Sequence, residues 1–326
     1  MVAPAEPLAG GTALAGRSGF WWTLWRRLRR NRPATIAAAF IAAIALVALL
    51  AGVIAPYGTS EQFLKATGPS LDPLARRDTG KFEAPSVAHL FGTDQLGRDI
   101  FSREIVGLRI SLSAALVAIV LVTLIGVCIG TIAASGPRWL DDLLMRLTDV
   151  AYAFPDLLLI ILLRAALGDR NALFGRRSLA GIEANVWLLF FAISLTAWPT
   201  MARLVRGQLL SIRETDFSHA AIALGASPVR LALRHWLPNA ISPVIVEATF
   251  LAPRAIIAEA ALSFIGVGVQ PPTPSLGLLI NEHFGFVAVQ WTALAFPVAL
   301  LALLFMAFQF CGDGLRDALD PRVSAR

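Results

Sequence analysis

Charge and reactive side chains are scarce in this sequence. Asp, Glu, Lys and Arg make up only 15% of its 326 residues, against 56% hydrophobic, which excludes an ordinary soluble globule. The two cysteines, Cys128 and Cys311, both fall inside apolar runs, so neither a disulfide scaffold nor cysteine metal-ligand spacing is present. His89, His219, His235 and His283 are scattered along the chain, and there is no GxxxxGK loop and no HExxH motif. The chain therefore has no recognised means of using ATP by itself and shows no enzyme site, no metal site and no cofactor of its own. Its formal charge of +6 could suit nucleic acid. The basic residues flank hydrophobic segments instead, so a negatively charged membrane face accounts for them better and no nucleic-acid partner is expected.

What is abundant is apolar sequence in runs long enough to cross a bilayer, and the pattern predicts an all-α polytopic membrane protein of about six spans. Residues 1–33 read as an N-terminal tail, loose over the Ala-, Gly- and Pro-rich first nineteen and ending in the aromatic and arginine cluster WWTLWRRLRRNRP. The run 34–55 is longer than the apolar core of a cleaved signal peptide and reads as a retained first span with its N-terminus in the cytoplasm. Residues 56–104 form a mixed extracytoplasmic segment. Within it GTDQLGRD brings together Gly92, Asp94, Gly97, Arg98 and Asp99, read as a turn-rich structural brace in preference to a cation site.

Residues 105–312 hold five more spans, and 313–326 return as a cytoplasmic tail with mixed charge. Gly126 and Gly130 give the second span, roughly Gly107 to Ser135, a small-xxx-small face for close helix approach. The third, about Leu140 to Leu167, is bent by Pro155, and its Asp149 must face an interface, a polar cavity or the membrane rim. The outer loop after it carries Arg170, Arg176 and Arg177, against a simple count of positive charge on the inner side. The fourth runs from about Val186 to Leu204, with capping-box spacing at Ser211 and Glu214. The fifth, about Ala240 to Ile265, carries Glu247, Arg254 and Glu259. With Asp149 these form either a structural intramembrane charge cluster or the lining of a translocation path. Five residues place Arg254 and Glu259 on different faces, so Arg254 is expected to pair across to a neighbouring helix or to meet a polar solute. A sixth span from about Trp291 to Phe310 follows the constrained PPTP segment.

The fourth and fifth spans are separated by a polar, positively charged insert, residues 214–239. Asp216 can cap a first short helix that Gly225 ends; Ser227 can cap a second, with Pro228 in its first turn and Pro238 limiting its far end. Arg230 and Arg234 lie one turn apart with His235 beside them, and no carboxylate or thiol is paired with a base. Docking onto a partner fits better than chemistry, beside the plainer reading of a connector packed on its own helices.

The insert resembles the cytoplasmic loop by which permease subunits of binding-protein-dependent ABC importers engage their ATPases. The matching positions are Ala220, Ala221, Gly225, Leu231, Arg234, His235, Leu237, Pro238 and Asn239, with His219 where the broader motif has glutamate. Five further runs match in order: Gly92 to Leu112, Met145 to Leu159, Ala202 to Phe217, Leu262 to Gly277 and Gly312 to Arg322. The chain thus looks like the second permease of a dipeptide or oligopeptide importer. The resemblance implies a heterodimer with a homologous permease, two cytoplasmic ATPases that use ATP and Mg, an extracytoplasmic solute-binding protein, and a multi-pass place in the bacterial inner membrane with both termini cytoplasmic. Nickel chelate, glutathione or an opine are alternative solutes. An ion-coupled secondary transporter, which would need paired repeats with interrupted helices, is a further alternative.

Overall fold

Glycine, proline and short polar side chains divide the apolar runs into helices in a computed structural model, described over residues 17–63, 80–168, 178–179 and 182–319. The order is α1 (Arg17–Leu28), α2 (Arg32–Leu49), α3 (Ala51–Ile54), α4 (Ile100–Ser135), α5 (Arg138–Ala153), α6 (Asp156–Gly168), the hairpin β1 (Ser178–Leu179) and β2 (Ile182–Glu183), and α7 (Ala184–Arg213). Then come α8 (Asp216–Ala223), the composite helix α9 (Pro228–Arg230, a π-helical Leu231–Trp236 and Leu237–Asn239), α10 (Ile241–Phe264), α11 (Leu276–Phe284) and α12 (Trp291–Leu319). Several starts have local causes. Asn31 accepts from the Ala34 amide at the head of α2, Asp99 from that of Ser102 at the head of α4, and Ser275 from that of Leu278 at the head of α11.

Five of these helices, α2, α4, α7, α10 and α12, are long and apolar enough to cross a membrane. The expected third span is not one bent helix. It breaks at Phe154 and Pro155 into α5 and α6, because proline has no amide hydrogen to continue the ladder. Sixteen and thirteen residues are each too short for a hydrocarbon core of about 30 Å, so the two can cross only in series. Other boundaries also move. The first span is interrupted at Leu50. Ser211 lies inside α7, which runs unbroken to Arg213, so no helix starts there. The last helix, α12, runs through 312/313 and continues to Leu319. Residues 1–16, the outer-loop arginines Arg170, Arg176 and Arg177, and the tail from 320 onward lie outside the described residues.

The bundle centres on α4 and α7. A Cβ at Gly126 would fall 2.5 Å from Met201, and one at Gly130 2.6 Å from the Ala202 carbonyl. These two glycines are therefore what let the helices touch. Buried Val122, Ala134, Met201, Val205 and Leu209 form a core there with Leu231, Ala232 and Trp236 of α9. A second core joins Ala114 and Ala118 of α4 to Leu189, Phe190 and Ile193 of α7. Where α2 crosses α12, Ala34 packs directly on Gly314. Chain direction gives the bundle two distinct ends. One carries α1, the start of α2, α8 and α9, and the end of α12. The other carries residues 80–103 and the segment around α11.

Candidate functional site

The insert is two short helices held against the end of α7. The cap position of α8 is Thr215, whose hydroxyl donates back to the Ile212 carbonyl at 2.6 Å, while Asp216 occupies the first turn. Asp216 is thus not the cap the sequence implied; the extended Thr215 holds that position, and its side chain makes no capping bond to α8. Gly225 has φ of +80°, and the Ala226 amide reaches the Ala221 carbonyl at 3.1 Å, the left-handed stop expected there. Ser227 caps α9 by accepting from the Arg230 amide, with Pro228 in the first turn.

Pro238 lies one residue from the far end of α9, as expected. It sits in the first turn of the last α-helical segment, directly after the π-helical stretch, and the run continues to Asn239. The wider turn shifts the hydrogen-bond register, so the missing proline amide falls where none is required. Ala240 then joins α9 to α10.

Two residues that the sequence did not single out fix the insert. The Trp236 indole nitrogen donates to the Ser218 hydroxyl at 2.7 Å, with both side chains buried, which ties α9 to α8. The same tryptophan packs in the core with α7. His219 is exposed, so it is Ser218, not the residue at the glutamate position, that anchors the first helix. Outward the insert shows Phe217, Ile222, Leu224, Val229 and Leu233, with Leu224 89% exposed. Arg230 and Arg234 are exposed beside this apolar face, as are Ala220, Pro238 and Asn239, while Ala221 and His235 are half-buried. The Asn239 amide donates to the His235 carbonyl at 2.5 Å and stiffens the last turn. Such a face, apolar with a cationic edge, can bind a complementary protein groove.

The intramembrane charges do not form one cluster. Asp149 pairs with Arg203 of α7 at 2.8 Å, and the same guanidinium lies over the Tyr152 ring. Nearby, Arg206 binds both carboxylate oxygens of Asp141 in a fork. Arg254 pairs with Glu247 at 2.7 Å. That partner is on its own helix, not on a neighbour as the sequence reading expected, because seven residues bring a side chain back to nearly the same face. Glu259 is fully buried elsewhere. Ser111 of α4 donates to one of its oxygens and Ser263 to the other, each at 2.7 Å. Ser111 also accepts from the Leu276 amide, and Ser263 from that of Val269. One carboxylate thereby joins α4, α10 and the segment leading into α11.

At the end away from the insert lies a second built site. Asp94 is buried and accepts from Arg98 Nε at 2.7 Å and from Arg103 Nη1 at 2.8 Å; Glu282 of α11 completes the group at 2.6 Å from Arg103. The other Asp94 oxygen accepts from the Leu96 and Arg98 amides. Asp99 accepts twice from Ser102 and lies 2.8 Å from His89 Nδ1. Gly92 and Gly97 have φ of +81° and +74°, so both turns use glycine's freedom. The arrangement is a brace between residues 80–103 and α11. Its acids are already satisfied by arginine, serine, histidine and backbone donors, which agrees with the brace expected here and leaves a cation nothing to bind.

His283 lies beside this group, outside the long apolar helices. It is buried, and neither ring nitrogen has a protein hydrogen-bond partner. Burial above all pushes its pKa from 6.5 down to about 4; Asp94 and Glu282 oppose the shift, and Arg103 and Arg98 add to it. A neutral folded imidazole and a protonatable unfolded one mean that stability is complete above about pH 6.5 and falls as pH drops towards 4. The thermal midpoint in detergent should therefore decrease over that window, and His283→Gln should remove part of the decrease. An identical pH profile in the variant would show that other groups carry it.

The model of the binding-protein-dependent transport system inner membrane component family matches residues 126–325, and that of the N-terminal TM domain of oligopeptide transport permease C matches residues 19–73. The chain is 39% identical over 303 residues to the glutathione transport system permease protein GsiD of Escherichia coli O157:H7, covering 93% of this chain and 91% of that one. The same figures hold for GsiD of Shigella boydii serotype 4 (strain Sb227). In structure it resembles a chain of the MetNI methionine ABC transporter solved in inward-facing conformations, with a TM-score of 0.54 at 20% identity. That match covers 68% of this chain and 96% of the other.

Proposed function

Because this chain belongs to the family of binding-protein-dependent transport system inner membrane components and is a permease subunit of an ABC importer, we propose that its solutes are short peptides. Two similarities support that class: the match at residues 19–73 to oligopeptide transport permease C, and the 39% identity to relatives named for glutathione, itself a tripeptide. The path is formed with a second, homologous permease. ATP and Mg act on separate ATPase subunits, since the sequence holds no nucleotide loop, and this chain does no chemistry.

The observation that carries the coupling role is the clamped insert, with an apolar face and two arginines exposed at one end of the bundle. That end also holds Arg26, Arg27, Arg29, Arg30 and Arg32, the charge bias of a cytoplasmic face. Both termini are cytoplasmic in this reading, in a bacterial inner membrane, and the Asp94 brace faces the solute-binding protein. Closure of the ATPases pushes on α8 and α9, and α7 and α10 carry the displacement into the path.

The test is solute-stimulated ATP hydrolysis in the reconstituted importer, with the binding protein offered dipeptides, tripeptides, glutathione and a nickel chelate. Stimulation by peptides or glutathione is expected. A response to the nickel chelate alone would overturn the substrate class. Gly225→Asp should abolish stimulation with expression intact. A Cβ there meets nothing within 4 Å, but φ of +80° strains any side chain, so the change both loosens the stop between α8 and α9 and adds a carboxylate beside the exposed Leu224. Normal stimulation would sink the coupling role of this loop.

A further inference from the structure

Outside the insert, an open cavity lies where α2 leans on α12. Small residues form its floor, the buried Ala37 and Ala307, and next to it Ala34 packs on Gly314. Because these small side chains bring the backbones together, the larger Ile36, Phe40, Met306 and Phe310 stand up on either side as walls. The result is a groove of about 520 Å³ in which Arg32, at one mouth, is the single charged lining residue. From Arg32 to Phe40 it follows α2 for about 12 Å, most of the depth of one hydrocarbon leaflet.

The mouth has its own chemistry. Arg29 and Arg30 lie in the turn just before Arg32, and Arg26 on the last turn of α1. No acidic residue occurs anywhere from Arg17 to Leu49, and Arg26, Arg29, Arg30 and Arg32 make no ion pair among the described residues. Arg27 is engaged differently: its guanidinium donates to the Ala318 carbonyl at 3.2 Å and pins α1 to the end of α12. Arg26 and Arg29 lie over the Trp22 and Trp25 rings, at 5.4 and 4.7 Å. Those tryptophans remain half or more exposed, as amphipathic rings do at headgroup level.

We infer that this groove is a binding site for one anionic phospholipid, with an acyl chain between α2 and α12 and its phosphate held by Arg29, Arg30 and Arg32. The occupant follows from charge. A second protein helix would satisfy the apolar walls but would leave the arginines facing no acid, whereas an anionic lipid satisfies both at once. Zwitterionic lipid fills the groove without compensating the cluster. The bound lipid then acts as a strut that holds α1 and α2 at the insert end of the bundle.

The assembled importer should be purified in detergent, stripped of lipid, and titrated with phosphatidylglycerol or phosphatidylcholine while native mass spectrometry counts retained molecules. One phosphatidylglycerol per copy of this chain is expected, retained at least about fivefold better than phosphatidylcholine. Arg29→Gln, Arg30→Gln and Arg32→Gln together should bring the two lipids to parity. Ile36→Trp, at an exposed wall position, should reduce retention of both by filling the groove. Neither change touches a buried side chain, so both variants remain foldable. Equal retention of the two lipids by the unaltered complex would overturn the proposal. So would a preference that both variants leave unchanged, or a groove that holds no lipid once the second permease is in place.

Discussion

Asp94→Asn is expected to destabilise the end of the bundle away from the insert by about 3–5 kcal/mol, the cost of leaving a buried charge without its partner. Asp94 and Glu282 face Arg98 and Arg103 in a balanced group, and Arg103 is completely buried. Asparagine retains an oxygen for the Leu96 and Arg98 amides, so the turn survives and only the balance is lost. Heat unfolding in detergent, with limited proteolysis of the segment 80–103, reads the effect. A second substitution makes the electrostatic origin testable: Arg103→Gln in the Asp94→Asn background restores the balance and should recover much of the loss. A fall below about 1 kcal/mol in the single variant would mean that packing, not charge, holds this brace.

Half of that brace was legible in the sequence. Asp94 and Arg98 stand four residues apart, Asp99 precedes an apolar helix as a cap should, and Gly92 and Gly97 mark turns. Glu282 was not legible, because it reaches Arg98 from 184 positions away and nothing in local pattern joins them. Glu259 divides the same way. Ser263 is one turn along its own helix, while Ser111 is 148 residues distant.

The spans were readable because hydrophobic length is a property of composition, and the membrane leaves few alternatives to a helix. Their ends were less so. The Pro155 break, the interruption at Leu50 and the unbroken α12 turn on single backbone groups, which hydropathy averages away. In the insert, Gly225 and Ser227 act where their chemistry places them. Pro238 does mark the far end of that helix within a residue, but the π-helical stretch just before it was not legible from local pattern. Arg254 shows another limit of local pattern: Glu259, five residues on, points to a different face, whereas Glu247, two turns back and nearly in line, is its partner.

Trp236→Ala should abolish solute-stimulated ATP hydrolysis while leaving the spans folded. The indole is buried with Met201, Val205 and Leu209 of α7, and its nitrogen holds Ser218 of α8. Truncating a buried tryptophan costs about 3–5 kcal/mol. A pair of short helices joined to the bundle at two points cannot absorb that loss and keep its position. The apolar face around Leu224 and Val229 can still meet a partner, but a displacement applied to it dissipates in the loosened insert and never reaches α7. Binding of the ATPases is therefore expected to persist while stimulation disappears. Trp236→Phe separates the contributions, since the ring still fills the core and only the hydrogen bond is removed. Ser218 then has a buried unpaired hydroxyl, a penalty of about 1–3 kcal/mol, and stimulation should be reduced, not lost. Adding Ser218→Ala removes the unpaired hydroxyl and should restore part of it. If Trp236→Ala kept half or more of the stimulation with an unchanged melting profile, the insert would be transmitting force through the α9–α10 junction at Ala240 alone. The Ser218 clamp would then be only a means of packing.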